Sequence, residues 1–175
     1  MPNERKSIPI NAPQVPGRVV DGFKAAIADP KQKPNAFIRL TASGGVHGES
    51  YEFEFRIDAA GRIDTHLVDE LKQRRYALPA NAMKVAAPSR FVDIARALDI
   101  DALVKVQGPS VGFPPDTVVG RLEINDGEQS TSLIFLADDQ QASRTRYSVP
   151  GPLRKAVDLL YREAATQLGT DDLKP

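Results

Sequence analysis

Val118-Val-Gly-Arg-Leu-Glu-Ile-Asn-Asp-Gly-Glu-Gln-Ser-Thr-Ser-Leu-Ile-Phe-Leu136 contains an Asp-Gly pair at 126–127 between two alternating arms. Asp-Gly is favoured in a two-residue hairpin loop because both central residues of a type I′ turn take positive φ. Centring the turn on Asp126-Gly127 places Leu122 opposite Thr131, Gly120 opposite Leu133 and Val118 opposite Phe135, with Ile124 leading the same face. That face is apolar, whereas Arg121, Glu123, Ser130 and Ser132 occupy the other. A slip of one residue would exchange the two faces, so pattern and turn chemistry together predict half of a sheet with one wet side.

Working outward, Tyr51, Phe53, Phe55 and Ile57 alternate with Glu52, Glu54 and Arg56. This period of two predicts a strand over 51–57, with others at 37–41 and 62–68, the last with Ile63, Thr65 and Leu67 on its buried side. Five strands are thus expected. Asp69 to Tyr76 is read as a helical turn or two with Asp69 as its N-cap, and 140–147 as containing an edge strand.

Three helices follow from apolar spacing. Val19, Phe23, Ala26 and Ile27 line one side of a short helix over 18–29. Phe91, Ile94, Ala95 and Leu98 recur behind Ser89, taken as N-cap, and Asp99 and Asp101 break and restart that helix before Leu103. The last helix runs from Pro152 to a terminating Gly169, with Leu153, Ala156, Val157, Leu160, Ala164 and Leu168 as its buried stripe. Its pairs Arg154/Asp158 and Asp158/Arg162 are expected to decorate a solvated face.

The expected fold is therefore α+β, a mainly antiparallel sheet with helices on one face. Residues 1–35 form a Pro-rich arm and short helix, 36–169 the single α+β domain, and 170–175 a frayed tail. Pro2, Pro9, Pro13 and Pro16 favour extended conformation in the arm, which lies loosely on its own domain or docks on a partner through Ile8, Ile10 and Val15.

Composition removes several chemistries. Lys+Arg and Asp+Glu both number 23, so no overall basic excess exists to bind a phosphate backbone, and nucleic acid is not an expected partner. Without cysteine there can be no disulfide, thiolate metal site, iron–sulfur cluster or thiol nucleophile. No apolar run approaches the roughly 18 residues of a membrane span, and none follows Met1-Pro-Asn-Glu-Arg-Lys6, so a soluble, cytoplasmic protein with no membrane partner is expected.

Catalytic constellations are equally scarce. Ser43-Gly-Gly-Val-His-Gly48 joins strand to strand, whereas a phosphate cradle needs a strand feeding a helix N-terminus. His47 and His66 are the only imidazoles, and no recognisable metal spacing links them. Glu52 and Glu54 suit the solvated face of a sheet better than an acid–base pair. No cofactor, no metal and no enzymatic activity are expected.

The order of elements is informative: strand, Ser-Gly-Gly-x-x-Gly loop, strand, helix, Pro/Gly loop, hairpin, Pro-led helix. With Ile38-Arg-Leu-Thr-Ala-Ser-Gly-Gly-Val-His-Gly48, Phe91 to Leu103, Val119-Gly-Arg-Leu-Glu-Ile-Asn-Asp-Gly127 and Val149-Pro-Gly-Pro-Leu-Arg154, the chain resembles emfourin, the small proteinaceous inhibitor of thermolysin-like zinc metalloproteases, and its relatives. The resemblance spans most of 37–168; residues 1–35 and an insertion around 63–87 are additions to that pattern. It implies a protein-binding module, more specifically a metalloprotease inhibitor or a diverged relative of one, with a thermolysin-like metalloprotease as partner.

An inhibitor presents rigid loops from a stable sheet so that little entropy is lost on docking. The candidate binding residues are Gly44, Gly45, Val46, His47 and Gly48, a loop expected to present Val46, with Val111, Phe113 and Pro114 as a second loop. The alternatives are a small-ligand binder or enzyme using Arg39, Glu52, Glu54, Arg56, Arg121 and Glu123 on the exposed sheet face, or a structural subunit of a larger assembly bound through the Pro-rich arm. A concave site with converging polar groups would favour the ligand binder, and projecting loops the inhibitor.

Overall fold

A computed structural model of the chain describes residues 17–46, 49–79, 84–85, 87–106, 113–114, 116–144 and 148–175; of residues 46, 49, 84, 85 and 143 it describes the backbone alone. In chain order the elements are α1 (Gly17–Ala28), β1 (Phe37–Val46), β2 (Glu49–Asp58), β3 (Arg62–Asp69), β4 (Arg74–Ala77), β5 (Lys84–Val85), α2 (Pro88–Ala97), α3 (Ile100–Leu103), β6 (Val119–Asn125), β7 (Ser130–Leu136), α4 (Asp139–Arg144) and α5 (Gly151–Leu168). The fold is α+β. An antiparallel sheet runs β4-β3-β2-β1-β6-β7, with β5 also pairing on β3.

Strand alternation sends one set of side chains inward. Ile38, Leu40 and Ala42 of β1, Tyr51, Phe53, Phe55 and Ile57 of β2, Ile63, Thr65 and Leu67 of β3, Leu122 and Ile124 of β6, and Leu133 and Phe135 of β7 are all buried. The helices cover this face and leave the other open. α5 packs on β2 and β3 and stacks Tyr161 on Phe53 at 4.4 Å between ring centroids. α1 packs on β6 and α2, with Phe23 meeting Phe91 edge to face at 5.9 Å. α1 is thus part of the same core as the sheet, and Phe23 has no exposed surface.

The hairpin keeps its predicted faces but turns one residue later than expected. Gly120 faces Phe135, Leu122 faces Leu133 and Ile124 faces Thr131, so the central pair of the loop is Gly127-Glu128. Asp126 does not take positive φ; its backbone N–H donates to Gln129 O at 3.0 Å, and its carboxylate accepts from the N–H groups of Glu128 and Gln129, each at 2.8 Å. A side chain that satisfies two loop amides is worth more here than as a central turn residue. The register therefore shifts by two, and a shift of two leaves every side chain on its own face.

Burial works against the charged form of Asp126, but the Gln129 and Glu128 amides and nearby Lys33 outweigh it and hold the carboxyl below its usual range. Gly127 takes φ +104, in the region closed to β-branched residues. Gly127→Val is expected to cost about 1–2 kcal/mol through that backbone strain, since its Cβ would otherwise meet ordinary contacts. The measurement is the urea midpoint, and an unmoved midpoint would remove the turn from the list of register determinants.

Further expectations are corrected. Residues 70–73 form a turn and 74–77 a strand in place of a helix: Asp69 caps the turn by accepting from Lys72 N at 3.1 Å, and Gln73 at φ +51 reverses the chain back onto β3. With β5 at 84–85, also unexpected, the sheet has seven strands in place of five. At 139–144 there is helix α4 in place of an edge strand, because Asp138 accepts from Gln140 N at 2.8 Å and Gln141 N at 3.3 Å as a helix-starting cap; residues 145–147 lie outside the described ones.

α2 starts at Pro88 with Ala87 ahead of it and no side-chain cap, since the proline pre-sets the first helical φ; Ser89 lies inside the helix. Asp99, in the left-handed region, does restart the chain into α3 and accepts from Ala102 N. On α5, Arg154 pairs with Asp139 at 3.2 Å and Asp158 with Lys174, so the expected intrahelical charge pairs give way to tertiary ones.

The tail is not frayed. Leu173 is 1% exposed, and its carbonyl accepts from the Tyr51 hydroxyl at 2.6 Å. Arg74 donates to Asp172 O and to Lys174 O, the latter at 3.0 Å. Tyr161 lies 3.2 Å from the Tyr51 hydroxyl, completing a buried chain of donors that ends on Leu173 O. Burial raises the pKa of both phenols, so they remain neutral donors.

Candidate protein-binding rim

The first candidate loop is mostly strand. Gly44 pairs with Tyr51, Gly45 with Ser50 and Val46 with Glu49, which leaves His47 and Gly48 as the connection; both lie outside the described residues, as does the Val46 side chain. The long β1–β2 ladder holds this end of the sheet in register to its last pair.

Gly44 is where the second candidate segment meets the first. A Cβ on Gly44 would lie 2.1 Å from Thr117 O and 2.9 Å from Val118 Cα, so the 117–118 backbone crosses directly over it. No other residue fits beneath that crossing. Thr117 Oγ1 donates to Pro114 O at 2.8 Å, tying the crossing back to the second candidate loop. Of that loop, Phe113 is half-buried and Pro114 exposed, and Val111 lies outside the described residues.

Gln141 of α4 secures the same segment, accepting from Val118 N at 2.9 Å and donating to Asp116 O at 3.0 Å. On the opposite side of the β1–β2 end, the turn after β3 is tied down in the same way. Glu70 N donates to Ser50 O at 2.9 Å, and Ser50 N donates back to the Glu70 carboxylate at 3.0 Å, which lowers the pKa of that carboxyl. This turn presents Leu71, 57% exposed, beside a crevice of about 30 Å³ lined by Ser50, Tyr51, Leu71 and Val118 among others. Leu71 had no periodic signal in the sequence; only the reversal at Gln73 places it on the rim.

The open sheet face has a different character. Arg39 donates through Nε to Glu54 at 2.9 Å and lies 3.7 Å from Glu123, and the contact with Glu54 raises its pKa. Arg56 covers the Phe37 ring at 4.4 Å and stands 3.8 Å from Asp58, while His66 stands 3.7 Å from Glu52. Arg121 is exposed. These charges are matched laterally across strands, as on an ordinary solvated sheet, and line none of the described cavities.

A polar cleft of about 330 Å³ lies instead between α5 and the tail, lined by Lys155, Asp158, Tyr161, Arg162, Asp172 and Lys174 among others. Among the described residues no group of three His, Cys, Asp or Glu could hold a metal ion. Nor is any described helix long and apolar enough to cross a membrane.

Compared with known proteins, the chain matches no family model, and no curated protein matches it in sequence.

Proposed function

We propose that this chain is a protein-binding domain that docks through the rim formed by the β1–β2 end, the 113–118 segment and the Glu70–Gln73 turn. The observation that carries this reading is the crossing of Thr117 over Gly44, which joins two segments far apart in sequence into one braced surface. Bracing by Gln141, Pro114 and Glu70 limits the ordering cost of docking, the requirement for a tight protein ligand. Resemblance to the emfourin family supports a thermolysin-like metalloprotease as the partner, and a cytoplasmic setting suits a chain without cysteine.

The test is titration of the purified chain against thermolysin-like metalloproteases, with Val46→Asp and Phe113→Ala as folded variants. Inhibition by the wild type that weakens at least about tenfold in either variant is expected, the effect of losing one well-packed interface residue. Inhibition unchanged in both would move the binding surface off the rim, and no inhibition of any such protease would leave the partner class unsupported.

A second reading has one observation in its favour. The cleft beside α5 falls at the lower end of the volumes of small-molecule sites. Its charges are partly spent, since Lys174 already pairs with Asp158, which favours the rim over the cleft.

A further inference from the structure

The two edges of the sheet are built differently. At one edge lie β4 and β5, of 4 and 2 residues, with Arg74, Arg75 and Lys84 among them. Short strands bearing positive charge are a usual means of keeping a sheet edge from pairing further. The other edge is β7, Ser130-Thr-Ser-Leu-Ile-Phe-Leu136, with 7 residues and no charge, proline or glycine. Among the described residues no strand pairs with its outer side.

Hydrogen-bond parity shows which groups face outward. Asp126 N donates to Gln129 O, and Ala137 N to Val118 O, so the pairs 126/129 and 118/137 are hydrogen-bonded ones. In an antiparallel ladder such pairs alternate. Counting between them, residues 131, 133 and 135 bond to β6, and the backbone groups of Ser130, Ser132, Ile134 and Leu136 point to the outer edge. At the middle of that edge Ile134 is 36% exposed, one of two exposed large hydrophobic residues among those described.

We infer that β7 is a self-association edge, on which a second copy of this chain adds its own β7 antiparallel, centred on Leu133, to make one sheet continuous across the pair. In that register Ser132 faces Ile134 of the other copy, so the outward backbone groups at the middle of the strand are used, while Leu136, 1% exposed beneath α4, lies at the end of the contact. The two Ile134 side chains meet diagonally on the open face.

Charge favours the same register, weakly, across about 14 Å of sheet. Arg121 sits beside Ile134 and Glu123 beside Ser132 on β6, so the two rows that pair Ser132 with Ile134 each carry arginine from one copy and glutamate from the other. Centring on Ser132 would instead put the two glutamates on one row. A strand without charges also has nothing to repel its own reversed copy. The contact is a single strand pair, below the roughly 1,200 Å² of a standard interface, so the dimer is reversible and weak.

The experiment is sedimentation equilibrium of the full chain from about 5 to 500 µM, which brackets a weak, micromolar-range association. It is paired with amide exchange at Ser132 and Ile134 followed by NMR. A monomer–dimer equilibrium is expected, with exchange at both amides slowing as concentration rises. Ile134→Lys, at an exposed position, is expected to weaken the dimer at least about tenfold while the circular dichroism spectrum is retained. Ser132→Pro removes an outward N–H without touching the β6 ladder and is expected to do the same. A chain that is monomeric throughout the range overturns the inference, as does a dimer that survives both substitutions or leaves the two amides unprotected.

Discussion

Arg74→Ala is expected to lower folding stability by about 3–5 kcal/mol, the cost of stripping the partner from a buried charge. The Asp69 side chain is 2% exposed, and Arg74 reaches its Oδ2 through Nη2 at 2.8 Å and Nε at 3.3 Å. The same guanidinium holds the Asp172 and Lys174 carbonyls, so β3, β4 and the tail share one cation. Guanidinium denaturation measures the loss, and faster amide exchange around Leu173 is expected to accompany it. Asp69→Asn in the Arg74→Ala background is expected to recover part of the loss, because the uncompensated charge is then gone. A loss under about 1 kcal/mol would place this pair with solvent-screened surface bridges.

Gly44→Val is expected to cost about 3 kcal/mol, at the upper end of overpacking, because the atoms it would strike are backbone and cannot rotate away. The 117–118 crossing must lift or the end of β1 must bend, and either movement loosens the bracing by Gln141. Gly151→Ala is the control: an added Cβ there meets nothing within 4 Å at the start of α5, and it is expected to be neutral or mildly stabilising. Comparison of the thermal midpoints of the two variants, with the Val118 amide as local probe, checks both claims. A fully stable Gly44→Val protein with unshifted Val118 resonances would remove the crossing as a rigid feature of the rim.

Much of the fold was legible because its signals are local. Phe53 and Phe55 face inward with Glu52 and Glu54 outward because side chains alternate along a strand whatever its neighbours are. α5 was legible from the Pro152 start, the apolar stripe and Gly169, which takes φ +68 after the last turn. The candidate site was legible only as two separate stretches. Gly44 and Thr117 carry no mark of each other in the sequence, and Leu71 looked like part of a helix until the reversal at Gln73 put it on the rim.

Three of the errors share one cause. Asp126, Asp69 and Asp138 were each open to several backbone partners within four residues, and a short polar side chain chooses among them by where the rest of the chain goes. Ser89 lost its capping role for a similar reason, Pro88 having set the helix start one residue earlier.

What the amino-acid order determined by itself was the parity of each long strand and the apolar stripe of each long helix, because both follow from the geometry of a single segment. Tertiary structure alone decided the pairing of β4 on β3, the closeness of Gly44 to Thr117 and the burial of Leu173 beneath Tyr51, a partner 122 residues away. Such contacts repay their loop-closure entropy only once the whole core has assembled, so no local pattern in the chain records them.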